Sequence, residues 1–129
     1  MKILIVDDND QFREDLSFFL EHNLKHKIIA EAANGEEFLE LGNIIEADII
    51  LMDLNMKEIN GFESTKKILW QYPLLNIIAI TMDYNNAILD KLIETGFKGF
   101  VYKTNIYEML EMAIQTVNSG KLFFKKLEI

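Results

Sequence analysis

Three aspartates, a threonine and a lysine, each at the end of a short apolar run, are the residues whose types and spacing could do chemistry here: Asp7 and Asp8, Asp53, Thr81 and Lys103. The run Ile49-Ile50-Leu51-Met52 is bounded by Asp48 and Asp53, and an apolar run this short suits a strand buried on both faces. Ligands of open parallel sheets bind outside the carboxyl ends of the strands, so whatever ends a central strand is the first place to look. Three carboxylates gathered there repel unless a cation joins them. Two carboxylates, a backbone carbonyl and waters suit Mg²⁺, which commonly also touches a phosphate oxygen. A hydroxyl from Thr81 and an ammonium from Lys103 would complete the needs of a phosphoryl group: the carboxylate attacks in line and the cations neutralise the equatorial oxygens. Singly, each residue has an ordinary reading. Paired acids after a strand cap helices, a lone Asp at a strand end does the same, a lone Lys is solvated, and Thr81 is a strand residue. Only their joint placement makes a site, and that depends on the topology.

The elements that must position them alternate. Lys2 to Val6 reads as a first buried strand running into Asp7-Asp8-Asn9-Asp10. Phe12, Leu16, Phe19, Leu20 and Leu24 follow at helical spacing, with Asn9 or Asp10 as N-cap. Ile28 to Ala32 is a second strand, and Asn34-Gly35 turns it into a short helix with Glu36 and Glu37 in its first turn. After the Asp53 strand, Asn60-Gly61 leads into a helix carrying Phe62, Ile68 and Leu69, stopped by Pro73. Asn76 to Thr81 is a fourth strand. Asn85 or Asn86 caps a helix with Ile88, Leu92 and Ile93, and Gly96 closes it as a left-handed C-cap. Gly99 to Tyr102 is a fifth strand, and Ile106, Leu110, Ala113, Ile114 and Val117 mark the cleanest amphipathic helix. Residues 121–129 read as strand-like but have no assignable place. Five strand and helix alternations argue for a parallel sheet with helices on both faces. With the strand order 2-1-3-4-5, Asp7, Asp8 and Asp53 converge.

Composition narrows the function classes. At 129 residues, half of them apolar, the chain suits one domain with one core. The absence of cysteine excludes disulfides, thiolate metal sites and thiol catalysis, and makes the cytoplasm the expected location. No apolar run approaches a membrane span, and the opening Met-Lys-Ile-Leu-Ile-Val is too short for a signal peptide. A net charge of −8 works against unaided nucleic-acid binding.

Taken as a set, Ile3-Leu4-Ile5-Val6-Asp7-Asp8, Leu51-Met52-Asp53-Leu54-Asn55-Met56, Asn60-Gly61, Ile80-Thr81 and Gly99-Phe100-Val101-Tyr102-Lys103 resemble the receiver domain of two-component response regulators. The wording around Asn55, with Lys103-Thr104 and Asn118-Ser119-Gly120-Lys121, resembles the NarL/FixJ subfamily, whose receivers usually precede a LuxR-type helix-turn-helix. The resemblance implies a flavodoxin-like doubly wound (βα)5 sandwich. It makes residues 1–120 the receiver and 121–129 a tail or the start of a linker to an effector domain outside this chain. It further implies a phosphoacceptor at Asp53, Mg²⁺ held by Asp8, Asp53 and the carbonyl of Asn55 with Asp7 acting largely through water, and phosphoryl contacts from Thr81 and Lys103. Phe100 stands at the position of the aromatic that changes rotamer on activation, expected to turn from exposed to buried; the alternative is that Phe100 is core in both states. The implied partners are a sensor histidine kinase or phosphotransfer protein, and a second copy on phosphorylation. The implied activities are Mg²⁺-dependent self-phosphorylation and self-dephosphorylation. The output face would be the fourth helix, fifth strand and fifth helix.

Three positions depart from the family pattern. Lys57 and Thr104 stand where prolines are frequent, and Met82 where a small residue is usual. The bond before Thr104 is expected to be trans, because a cis bond to a non-proline costs about 2.5 to 4 kcal/mol. The length of Met82 would shield the phosphoryl pocket. Two other functions compete. Asp8-Asn9-Asp10 imitates the Asp-x-Asp of a Mg²⁺ phosphatase of haloacid-dehalogenase type, although Gln11-Phe12 follows where Gly-Thr is usual. A flavodoxin-like FMN carrier would share the fold but needs a Ser/Thr/Gly-rich phosphate loop, and Asp7-Asp8 would repel the phosphate.

Overall fold

The computed structural model describes residues 1–56, 60–82 and 85–124, so Lys57, Asp83 and residues 125–129 lie outside the described residues. Strands β1 (Lys2–Val6), β2 (Lys27–Ala32), β3 (Ile49–Asp53), β4 (Ile77–Thr81) and β5 (Gly99–Tyr102) form one parallel sheet in the order β2-β1-β3-β4-β5. The doubly wound topology is therefore as expected. Between them run α1 (Asp10–Phe18), α2 (Gly35–Glu40), α3 (Gly61–Gln71), α4 (Asn86–Thr95) and α5 (Ile106–Asn118).

One chemical device starts the first four helices. Asn9, Asn34, Asn60 and Asn85 each accept a hydrogen bond from the backbone N–H three residues on, satisfying a donor that the first turn leaves unpaired. Gly96 ends α4 at φ +105°, the left-handed conformation predicted for it. Where one continuous helix through Leu24 is expected, α1 widens into a π turn over Phe19–Asn23, with the Leu24 N–H reaching the Phe19 carbonyl.

Period-two alternation sorts the central strands between two cores. Leu4, Val6, Ile50, Met52, Ile77 and Ala79 pack with Phe38, Ile68 and Leu92 of α2, α3 and α4. Ile3, Ile5, Ile49, Leu51, Ile78 and Ile80 pack with Leu16 of α1 and Leu110, Ala113, Ile114 and Val117 of α5. Burying both faces explains why these strands read as unbroken apolar runs. Each such side chain contributes about 1.5 to 3 kcal/mol relative to exposure. Beyond α5, Phe123 pairs in parallel with Gly99, giving part of the otherwise unassigned tail a place on the sheet.

Candidate functional site

Strand register brings the chemistry to one edge. Val6 pairs with Met52, Asp53 with Ile80, and Thr81 with Tyr102, so Asp7, Asp53, Thr81 and Lys103 all stand at the carboxyl ends of neighbouring strands. This edge lies where the strand order reverses, between β1 and β3. Asp7, Asp53 and Thr81 are buried, and Asp8 is exposed.

Asp7, Asp8 and Asp53 each offer a carboxylate oxygen within 4.8 Å of the other two. The Lys103 ammonium reaches in from β5, 2.9 Å from Asp7 Oδ2 and 3.5 Å from Asp53 Oδ1. The Asp7 contact is an ion pair without the alignment of a hydrogen bond. Backbone donors fix the other oxygens: the Asn9 N–H donates to Asp7 Oδ1 at 2.8 Å, and the Asn55 N–H to Asp53 Oδ1 at 3.1 Å. Asp53 Oδ2 is buried and accepts no hydrogen bond. Burial, then the Asp7 carboxylate, pushes Asp53 up from 3.8 to about 6, against the Asn55 N–H and Lys103, which lower it. A buried acceptor without a donor, among three carboxylates and one ammonium, is a set of hard oxygen ligands short of positive charge.

The surroundings add three residues whose part in the site the sequence reading did not assign. Arg13, the chain's single arginine, donates to the Asp7 carbonyl at 2.6 Å and pairs with Asp10 and Glu31, tying the start of α1 to the acidic loop. Its place one turn into α1, six residues after Asp7, is the only signal it left. Gly61 lets α3 begin against β3: a Cβ there would collide with the Asp53 carbonyl oxygen. Phe12 lies beneath Lys103, whose Nζ stands 4.6 Å from the ring centroid. With Asn9, Met82 and Thr104 these two line a cleft of about 390 Å³ beside the acids, and the Lys103–Thr104 bond is trans.

Phe100 departs from expectation. Rather than standing exposed it is 1 % exposed, packed in the core of α2, α3 and α4 as the alternative reading has it, with the Phe124 ring beside it.

Residues 3–115 match the family model of the response regulator receiver domain. This chain belongs to that family. The transcriptional regulatory protein LnrK of Bacillus subtilis strain 168 is 35 % identical over 120 residues, covering 93 % of this chain and 54 % of LnrK. YdfI of the same organism, also a transcriptional regulatory protein, is 39 % identical over 124 residues, covering 96 % of this chain and 58 % of YdfI. The receiver thus spans a little over half the length of these relatives. Among solved structures, a LuxR-family two-component response regulator from Aurantimonas sp. SI85-9A1 superposes with a TM-score of 0.88 at 29 % identity, covering 95 % of this chain and 88 % of that one. Receiver membership leaves the phosphatase reading without support. Its second acid, Asp10, is turned outward to Arg13, and Asn9 between the two acids is spent capping α1.

Proposed function

We propose that this receiver takes a phosphoryl group onto Asp53 from a phosphohistidine of a sensor histidine kinase or phosphotransfer protein. The observation that carries the reading is Asp53, a buried carboxylate whose Oδ2 accepts no hydrogen bond, whose Oδ1 lies 3.5 Å from the Lys103 ammonium, and which clusters with Asp7 and Asp8. Asp8, Asp53 and the Asn55 carbonyl would hold Mg²⁺, with Asp7 acting through water; the ion, when bound, neutralises charge on the transferring oxygens.

An Asp53 carboxylate oxygen attacks phosphorus, the phosphorus–nitrogen bond breaks, and the imidazole leaves with that electron pair. Lys103 neutralises an equatorial oxygen of the transferring group, and its present partners, Asp7 and Asp53, hold it ready. The Thr81 hydroxyl takes a second oxygen. Water later attacks the acyl phosphate, releasing inorganic phosphate and restoring the carboxylate.

By analogy with other phosphorylated side chains the product carries roughly 1.5 to 2 negative charges in place of the carboxylate's one, and it draws Thr81 toward Asp53. That movement reinforces the inward Phe100 already present here and steadies the face of α4, β5 and α5, where a second copy docks. Transcription is the output that its relatives' names suggest, through a DNA-binding domain of a longer chain joined beyond residue 120, with the whole acting in the cytoplasm. No helix among the described residues is long and apolar enough to cross a membrane.

Acetyl phosphate replaces the protein donor in the test. With Mg²⁺, intact mass should show one added phosphoryl group, and with a chelator none. Folded protein that gains no mass in Mg²⁺ contradicts the reading.

A further inference from the structure

An edge strand leaves a row of backbone groups unpaired on its outer side. Here the segment after α5 returns to cover β5. The Phe123 N–H donates to the Lys98 carbonyl at 2.9 Å, and the Phe123 carbonyl accepts from the Phe100 N–H at 3.0 Å, making a sixth strand position opposite Gly99. Gly99 admits it. A Cβ there would lie 2.6 Å from the Phe123 carbonyl oxygen and 3.0 Å from the Phe123 Cβ.

Neighbouring residues of a strand face opposite sides of the sheet. Phe123 is buried in the core of α1 and α5, and Phe124 packs on the core of α2, α3 and α4. There Phe124 meets Phe100, ring centroids 6.2 Å apart, while Tyr102 meets Phe100 edge-on at 5.4 Å. Because Phe123 pairs along the outer edge, Phe124 brings its ring beside Phe100 at that edge of the sheet.

We propose that Phe123 and Phe124 form a clip that holds Phe100 inward, coupling the segment after α5 to the phosphoacceptor site. The clip stands on these contacts; its coupling to the site rests on Asp53 being the phosphoacceptor. β5 carries the coupling, since Tyr102 pairs with Thr81 and the next residue, Lys103, pairs with Asp7 and Asp53. Whatever favours inward Phe100 favours both the docked clip and the phosphorylated state, so each must strengthen the other by the same factor.

Gly99→Ala displaces the clip without touching the acids, Phe124→Ala keeps the pairing and removes the ring, and Leu122→Ala, at an exposed position, is the control. NMR would read the exchange protection of the Phe123 amide, the accessibility of the Phe100 ring to a soluble paramagnet, and Mg²⁺-dependent beryllofluoride binding in the 129-residue chain. Gly99→Ala should lower Phe123 protection by about ten-fold or more. Gly99→Ala and Phe124→Ala should both expose Phe100 and weaken beryllofluoride roughly five-fold, the lower end of ordinary coupling between sites. Leu122→Ala should match wild type. If Gly99→Ala unfolds β5, Phe124→Ala decides alone. A Phe100 ring that stays shielded in Phe124→Ala overturns the clip, and an exposed ring with unchanged beryllofluoride affinity overturns the coupling. If wild type binds no beryllofluoride, the phosphoacceptor reading falls and takes the coupling with it, and the accessibility of Phe100 still decides the clip.

Discussion

Strand β3 has an aspartate at each end, and the two live in opposite circumstances. Asp48, at the entry, is exposed; its Oδ2 accepts the Lys2 N–H at 2.8 Å, and its own N–H donates to the Lys2 carbonyl at 2.8 Å. Asp53, at the exit, is buried beside a second carboxylate, with one oxygen unsatisfied and its pKa pushed up to about 6. Asp48 is a stitch between β1 and β3. Asp53 is held at a cost to the fold, because a buried carboxylate next to another is disfavoured in its charged form. Residue type and flanking pattern nominate both acids, and only burial and neighbours separate the one placed for chemistry from the one that stitches strands.

The largest contrast should appear in phosphoryl transfer. Lys103→Met should slow phosphorylation by acetyl phosphate about 100-fold, the usual effect of removing one charge-stabilising donor, while Asp48→Ala leaves the rate within about two-fold. Equal rates in the two variants would erase the distinction between the ends of β3. Rates of mass gain in Mg²⁺ measure both.

Stability should show the same contrast with opposite signs. The folded pKa of Asp53, about 6, lies above its ordinary 3.8, so the unfolded chain releases this proton first. Ionisation therefore destabilises the metal-free fold progressively from about pH 4 to above pH 6. Asp53→Asn should stabilise the metal-free protein at pH 7.5 by on the order of 2 to 3 kcal/mol and change little at pH 4. Asp48→Ala should destabilise it by about 1 kcal/mol, the net worth of one lost hydrogen bond. Urea titrations at the two pH values read both effects.

A smaller effect sharpens the view of the mouth of the site. Met82, 52 % exposed, lines the cleft beside Lys103. If its length restricts the attacking water, Met82→Ala should shorten the lifetime of the phosphorylated form by roughly two- to five-fold, a range that loss of one positioning contact spans. Decay of the phosphorylated mass after removal of acetyl phosphate gives the number, and an equal or longer lifetime would count against shielding.

Much of this site was legible because its parts terminate apolar runs. Asp53 and Thr81 end, and Asp7 and Lys103 follow, strands that are buried on both faces, and the topology does the rest. The asparagine caps and the Gly96 C-cap were legible for a related reason: they are local, and a few residues carry the whole signal. Contacts that depend on distant chain were not. Gly61 looks like a turn glycine until α3 is seen against the Asp53 carbonyl, and Arg13 looks like a surface residue until its guanidinium is seen on the Asp7 carbonyl. The tail reads as strand-like and core burial is one reading of Phe100, yet Phe123 pairs through too few residues for its place on the edge of β5 to be read in advance.

Of the three clustered acids, Asp53 is the one proposed to form the acyl phosphate. Borohydride reduces an aspartyl phosphate to homoserine and so marks the residue that carried it. After treatment with Mg²⁺ and acetyl phosphate, then borohydride and proteolysis, peptide mass spectrometry should find homoserine at position 53 alone, and none anywhere in Asp53→Asn. Homoserine at position 7 or 8, or wild-type phosphoryl incorporation persisting in Asp53→Asn, would contradict the account.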